Sequence, residues 1–357
     1  MKKNLDAALG RTLTRQEFLK LGGAGLAGAA LLGTAGCGAR GGGGGGGEEY
    51  SIRLSHVTTP ETPKGMASEK FKEVLEESSE GRITVEIYPN SELYGDEDEL
   101  QALQGGSVEM IAPASAKLTD IAPQLFVLDL PFIVDSVDEV PEIIARDTTV
   151  GKAIYGNQKL ADSNMKVLGL WDNGLYQTTC NKAIRTPDDL RGVRIRITPS
   201  DIIRTYWEKW GAETTPMAFA ELFTALQQGV VDGQYNPYSN IESQRFYEVQ
   251  SYMTITEHGY LTYPLIMNAE FFDGLPEDLQ QAVTDAADEA TAYNREVAFD
   301  VNQEAREVIV DAGTTEIIEL SPEERQAFKD AVVPSVWNEY ADVIGQDIID
   351  ELLARQS

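Results

Sequence analysis

The sequence predicts an α/β protein of two lobes, joined by strands that cross between them and by a long C-terminal spine helix. Three observations carry that prediction. Strand-like and helix-like segments alternate from residue 48 onward, the pattern of parallel sheets covered by helices. Neither Pro nor Gly interrupts residues 277–312, a helical run about three times the usual length. No linker divides the chain after residue 48, so the lobes share elements instead of following one another as beads.

Taken in order, the chain opens on a segment that is not part of the fold. Residues 1–36 hold five cations and two anions, followed from Leu21 to Gly36 by an uncharged run rich in Ala, Gly and Leu. A basic start, a short apolar middle and small residues before a boundary describe an export signal. The run is shorter than the roughly 20 residues a membrane span needs. Thr14–Lys20 is similar to a twin-arginine export motif, with Gln16 in place of the second arginine. Thr34-Ala35-Gly36-Cys37 resembles a lipobox, with Thr34 in place of the usual leucine, and implies lipidation of Cys37. Seven glycines, Gly41 to Gly47, then read as a flexible tether within residues 37–48. Gly23-Ala24-Gly25-Leu26-Ala27-Gly28 satisfies the GxGxxG pattern, but no strand precedes it and it carries no nucleotide site.

Residues 50–55 alternate with period two and predict a strand, and Met66–Leu75 predicts an amphipathic helix. A second strand covers 82–88, a helix lies around Glu97–Leu103, and short strands follow at Val108–Ala112, Val167–Trp171 and Val193–Ile197. Pro276-Glu277-Asp278-Leu279 starts the long helix with proline and acidic residues in its first turn, where the helix dipole favours them. On this reading residues 49–172 with about 262–301 form lobe 1, and 173–261 with about 302–357 form lobe 2.

Composition removes several function classes. The 357 residues carry 29 Lys+Arg against 58 Asp+Glu, a net charge of −29, and the basic N-terminus leaves −32 on the remainder. Such a chain cannot neutralise a phosphate backbone, so nucleic acid is not a partner. Two Cys and two His leave no disulfide scaffold or zinc cluster. Cys180, without a partner once Cys37 is lipidated, reads as a free buried thiol. No catalytic motif is present, and neither enzymatic activity, a metal nor a cofactor is expected. The acidic stretch Asp96–Glu99 lacks the spacing of a calcium loop and reads as a solvated helix start.

Three segments carry recognition: Thr186–Ile197 (TPDDLRGVRIRI), Pro216–Gln227 (PMAFAELFTALQ) and Val231–Pro237 (VDGQYNP) followed by Phe246–Gln250. In this order they resemble the substrate-binding proteins of TRAP transporters, and the likeness runs from about residue 50 to the end. It includes Gly81-Arg82-Ile83, Tyr88–Leu93 and Leu275–Gln280. The resemblance implies a periplasmic-binding-protein-like fold. It implies an extracytoplasmic receptor that closes on a small carboxylate solute and delivers it to TRAP permease subunits; the lipobox-like segment at Cys37 makes the N-terminal lipid its only expected membrane contact. A solute-binding protein of an ABC importer is the alternative.

The resemblance places the ligand-clamping arginine at Arg196. The strand pattern agrees, since Arg194 and Arg196 share one face of 193–197 and a guanidinium fork suits a carboxylate. Asn236 matches the pocket asparagine, although Asn-Pro also marks turns. Phe219 matches an apolar wall or a core position, and Gln234 stands two residues before Asn236. His56 and Ser115 follow the first and third strands where the family's loops enter the cleft. Trp171 ends a strand at the lobe crossing, as a ligand cover or a hinge packing residue. Tyr176 stands where many relatives carry a second arginine; the loss of that cation disfavours dicarboxylates and sialic-acid-like ligands and leaves room for a monocarboxylate, a hydroxy or keto acid, or a zwitterion stacked on aromatics.

Overall fold

The computed structural model describes residues 48–356; the export signal, Cys37 and the glycine tether lie outside the described residues. The strands are β1 Tyr50–Ser55, β2 Ile83–Tyr88, β3 Met110–Ile111, β4 Met165–Leu175, β5 Gln177–Cys180 and β6 Arg194–Ile197. They continue with β7 Glu213–Pro216, β8 Gly233–Asn236, β9 Tyr252–Ile255, β10 Tyr260–Asn268 and β11 Glu316–Glu319. One sheet has the order β2-β1-β3-β10-β4, the other β11-β9-β5-β8-β6-β7. Each sheet is the base of one lobe.

Helix-linked strands are parallel, as the alternation predicts: β1 with β2 and β3, β6 with β7 and β8. The expectation of parallel sheets holds for these strands and not for those at the lobe crossing. β10 runs antiparallel to β3 and β4, and β5 antiparallel to β8 and β9. These are the strands that carry the chain between lobes. A chain that leaves one sheet and comes straight back has reversed direction, and no crossover helix restores it.

Local rules shape the elements around this crossing. On β2, Ile83 and Val85 are buried while Thr84 and Glu86 face solvent, the alternation of a one-sided strand. All nine residues of β10 are buried. Helix Pro63–Ser78 begins with Thr62 accepting from the Gly65 N–H (3.3 Å) and proline in its first turn. It buries Ala67, Phe71 and Leu75, four residues apart, along one face.

Only Tyr176 separates β4 from β5, and its N–H donates to Gly259 O (2.9 Å) between β9 and β10. A Cβ at Gly259 would stand 2.9 Å from the Tyr176 ring, so the close approach requires glycine there. The spine helix, Glu277–Ala312, has 36 residues and a length of about 54 Å. It packs on helix Pro63–Ser78 in the first lobe and on helix Tyr238–Ser243 in the second. Asn294 accepts from the Asp172 N–H and donates to the Asp172 carbonyl (3.1 Å). Two turns on, Asn302 donates to the Asn173 carbonyl and accepts from the Ser239 N–H (3.0 Å). Beyond β11 the C-terminal helices reach both lobes: Trp210 Nε1 donates to Phe328 O (3.0 Å), and Trp337 Nε1 to Pro131 O (2.9 Å). Cys180 is buried and free.

Away from the hinge, the lobes also touch through Asp129. One of its oxygens accepts from Ser115 Oγ (3.1 Å) and the other from Ser200 Oγ (3.2 Å). Burial pushes this carboxyl up to about 7 against the pull of the two serine hydroxyls. The folded chain therefore holds the proton more tightly than the unfolded chain. The resulting stabilisation is complete below about pH 4 and is lost as pH rises through about 7. Asp129→Asn removes this titration. In urea unfolding at pH 4.5 and 7.5, the variant gains ~3 kcal/mol on the parent between the two pH values; a constant difference between variant and parent contradicts the assignment.

Candidate functional site

Strand β6 takes two arginines of one face into different surroundings. Arg194 lies at the outer end, paired with Asp232 (2.6 Å) and partly exposed. Two residues on, Arg196 has reached the cleft between the lobes and is 3% exposed. Its Nε and Nη2 donate to Met217 O (3.0 and 2.7 Å), and Nη1 donates to Thr198 Oγ1 (3.3 Å). Both acceptors are uncharged, and no carboxylate of the described residues forms an ion pair with the guanidinium. Burial pushes Arg196 below its ordinary value, yet a guanidinium keeps its proton throughout the physiological range. The cleft thus holds a desolvated cation whose ionic partner is not supplied by the protein.

Arg196 lines a small cavity together with Tyr176, Phe219, Tyr235, Asn236 and Tyr263. Its free volume is about 30 Å³, enough to hold ordered water. Residues from both lobes close it. Asp96, from the first lobe, accepts from the Phe219 N–H of the second (2.6 Å). Aromatic rings form the floor: Tyr176 and Tyr235 meet edge to face at 4.7 Å, and Phe219 is buttressed by Phe246 at 5.9 Å.

Of the residues singled out in the sequence, the structure brings Arg196, Asn236, Phe219 and Tyr176 to this cavity. Gln234 stands behind them, accepting from Asn236 Nδ2 (2.6 Å) and donating to Thr179 Oγ1 (3.0 Å), which orients the Asn236 amide. His56 is wholly buried behind Val57, which takes its place on the wall. Burial, followed by the charge of Lys64, pushes the His56 ring down to about 3, so it is neutral. Ser115 turns toward Asp129, and Ala114 faces the cavity instead. Trp171 is fully buried, opposite Tyr263 in the β4–β10 register. Cys37 lies outside the described residues.

The acidic stretch requires a correction. Glu97 and Asp98 are exposed, but Glu99 is wholly buried and Asp96 lines the cavity. Lys117 binds both, donating to Asp96 Oδ1 (2.9 Å) and to Glu99 Oε1. Burial works to raise the Asp96 carboxyl, but Lys117 and the Phe219 N–H outweigh it and hold the group below its usual range. Burial raises Glu99 in spite of Lys117. The signal was spacing, since Asp96 and Glu99 are three apart and share one face of a turn. Asn240 was likewise marked only by its place four residues after Asn236; it donates to Asn236 Oδ1 (3.0 Å) and to Tyr263 Oη (3.0 Å). No group of three or more His, Cys, Asp or Glu among the described residues is placed to hold a metal ion.

Comparison with known proteins places this geometry. Residues 54–342 match the family described as bacterial extracellular solute-binding protein, family 7. The chain is 40% identical over 303 residues to the C4-dicarboxylate-binding periplasmic protein DctP of Rhodobacter capsulatus, covering 85% of this chain and 90% of that one. It is 36% identical over 307 residues to the C4-dicarboxylate-binding protein DctB of Bacillus subtilis, covering 86% of each. Among solved structures, a TRAP periplasmic solute binding protein from Shewanella oneidensis with bound succinate superposes with a TM-score of 0.82 at 35% identity. That match covers 87% of this chain and all of the other. A TRAP receptor as structural neighbour decides between the two transporter classes left open by the sequence. Two lobes, a crossing-strand hinge and a matched family spanning residues 54–342 lead to one conclusion: this chain belongs to family 7 of the bacterial extracellular solute-binding proteins.

Proposed function

We propose that this protein captures a small organic acid between its lobes, with Arg196 as the carboxylate clamp, and delivers it unchanged to a TRAP permease. The observation that carries this reading is the buried guanidinium satisfied only by neutral oxygens. A charge taken out of water is costly unless an opposite charge meets it, and a ligand carboxylate provides that charge. The relatives support the same chemistry, since those named for C4-dicarboxylates and the succinate-bound neighbour share a carboxylate. Asn236, held by Gln234 and Asn240, offers amide hydrogen bonds beside it, while Phe219 and Tyr176 pack on the carbon skeleton. The net charge repels an anion only at long range, because at physiological salt it is screened beyond about 8 Å. Capture is thus left to the local cation.

The lobes would swing about the Tyr176 junction and close on the solute, a hinge motion. Lipidation at Cys37, with the glycine tract as tether, would keep the receptor at the outer face of the membrane beside its permease.

Two measurements test these statements. In a thermal-shift screen of organic acids, the parent chain gains melting temperature with its solute. Arg196→Ala loses at least about thirtyfold in affinity, the lower end expected when one partner of a buried charge pair is removed. Unchanged affinity in the variant rejects the clamp. In fractionated cells the parent chain sediments with membranes and Cys37→Ser is released to the soluble fraction; a variant that stays with the membranes rejects the anchor.

A further inference from the structure

A cavity of about 390 Å³ lies behind the crossing strands, on the face turned away from Arg196. Neighbouring residues of a strand point to opposite faces. Leu175 and Gln177 line this space while Tyr176 lines the cleft, and Tyr260 lines it while Leu261 and Tyr263 line the cleft. The rest of the wall comes from the segment 135–141, from Glu257 between β9 and β10, from Tyr238 and from the spine helix. Small-molecule sites have volumes of roughly 300–1,000 Å³. The two spaces share no lining residue, so the capture of an acid in the cleft makes no use of this one.

Its charge has the wrong sign for an acid. Four carboxylates of the lining, Asp135, Asp138, Asp172 and Glu257, stand against one cation, Arg295. Asp172 takes Arg295 Nε (3.2 Å), and Asp135 takes Arg325 (3.0 Å) and Lys329 (3.1 Å). Glu257 is different. Among the described residues no cation pairs with its carboxylate, and Arg325 reaches only its backbone carbonyl (3.5 Å). Burial raises this carboxyl against the pull of Arg325. Its backbone is held at φ 45°, a left-handed conformation uncommon outside glycine, and strain of that kind gathers at ligand sites. The buried Gln177 also has an oxygen, Oε1, that finds no donor among the described residues. Beside these acceptors stand three aromatic side chains: the buried Tyr238 and Tyr260 and, on the spine helix, Phe299, which is 55% exposed. Unpaired negative charge next to aromatic carbon suits an ammonium group, which takes an ion pair from the one and cation–π attraction from the other. We propose that this cavity is a second binding site, for a small organic ammonium ion whose charge meets Glu257 and whose carbon skeleton packs on Tyr238, Tyr260 and Phe299.

The test uses two ligands of one skeleton. Isothermal titration of the parent chain at neutral pH and physiological salt compares cyclohexylammonium with cyclohexanol, which has the same ring and no charge. The expected result is at least about tenfold tighter binding of the ammonium. In Glu257→Gln the ratio falls to within about threefold, through loss of ammonium affinity. Phe299→Ala, at an exposed position of the spine helix, weakens both ligands. Glu86→Gln, at an exposed glutamate of β2, keeps the full ratio and so separates a site from the diffuse attraction of an acidic chain. The comparison in the parent chain needs no substitution, so a variant that fails to fold does not remove the test. A parent that binds neither ligand, or both equally, overturns the assignment. So does a folded Glu257→Gln that keeps the ratio, a Phe299→Ala that binds both ligands as the parent does, or a Glu86→Gln that lowers the ratio as far as Glu257→Gln.

Discussion

Burying a guanidinium with no carboxylate against it is the constraint around which the cleft is built. Removing an ion from water costs several kcal/mol even after relaxation. The protein offsets part of this with the Met217 carbonyl, the Thr198 hydroxyl and the nearby charge of Asp96. It withholds the direct ion pair. Asp96 is turned instead to Lys117 and to the Phe219 N–H of the opposite lobe. A full internal pair at Arg196 would satisfy the fold and leave nothing for a solute to contribute. On the proposed reading, the energy missing at Arg196 is what an anion brings when it binds.

On the proposed reading, the junction between the lobes must let this constraint be relieved reversibly. Two strands carry the chain between sheets, and one residue, Tyr176, separates β4 from β5. The spine helix fastens this junction through Asn294 and Asn302, which bind backbone groups of β4 and of helix Tyr238–Ser243. Rigid elements thus flank a short pivot. The contacts across the cleft at Asp96 and Asp129 are few and polar. Such polar contacts exchange for water at little net cost. On the proposed reading, closure is governed by a handful of groups, of which Arg196 is the most costly to leave unpaired.

Much of the architecture was legible in local patterns. Period-two alternation located β1, β2 and β6, and an unbroken helix-forming run located the spine, because these depend on which face of a segment is apolar. The same alternation put Arg194 and Arg196 on one face. Alternation could not tell that one end of β6 stays at the surface with Asp232 while the other enters the cleft. The acidic stretch failed for a related reason. Its charge density suggests solvent, yet Asp96 and Glu99 face inward because Lys117, about twenty residues on, meets them there.

Strand and helix order, the shared spine and the arginine strand followed from the sequence, since each rests on interactions among residues close along the chain. Which polar groups share a cavity did not. Asp96, Arg196, Asn240 and Tyr263 come from different elements and meet in one cavity only when both sheets have formed and come together. Lys64 shows the same dependence on distant partners: a lysine in the first turn of an amphipathic helix looks like a solvated residue. Its burial against Tyr263 depends on a strand that returns from the other lobe almost two hundred residues later, and no local pattern encodes so distant a partner.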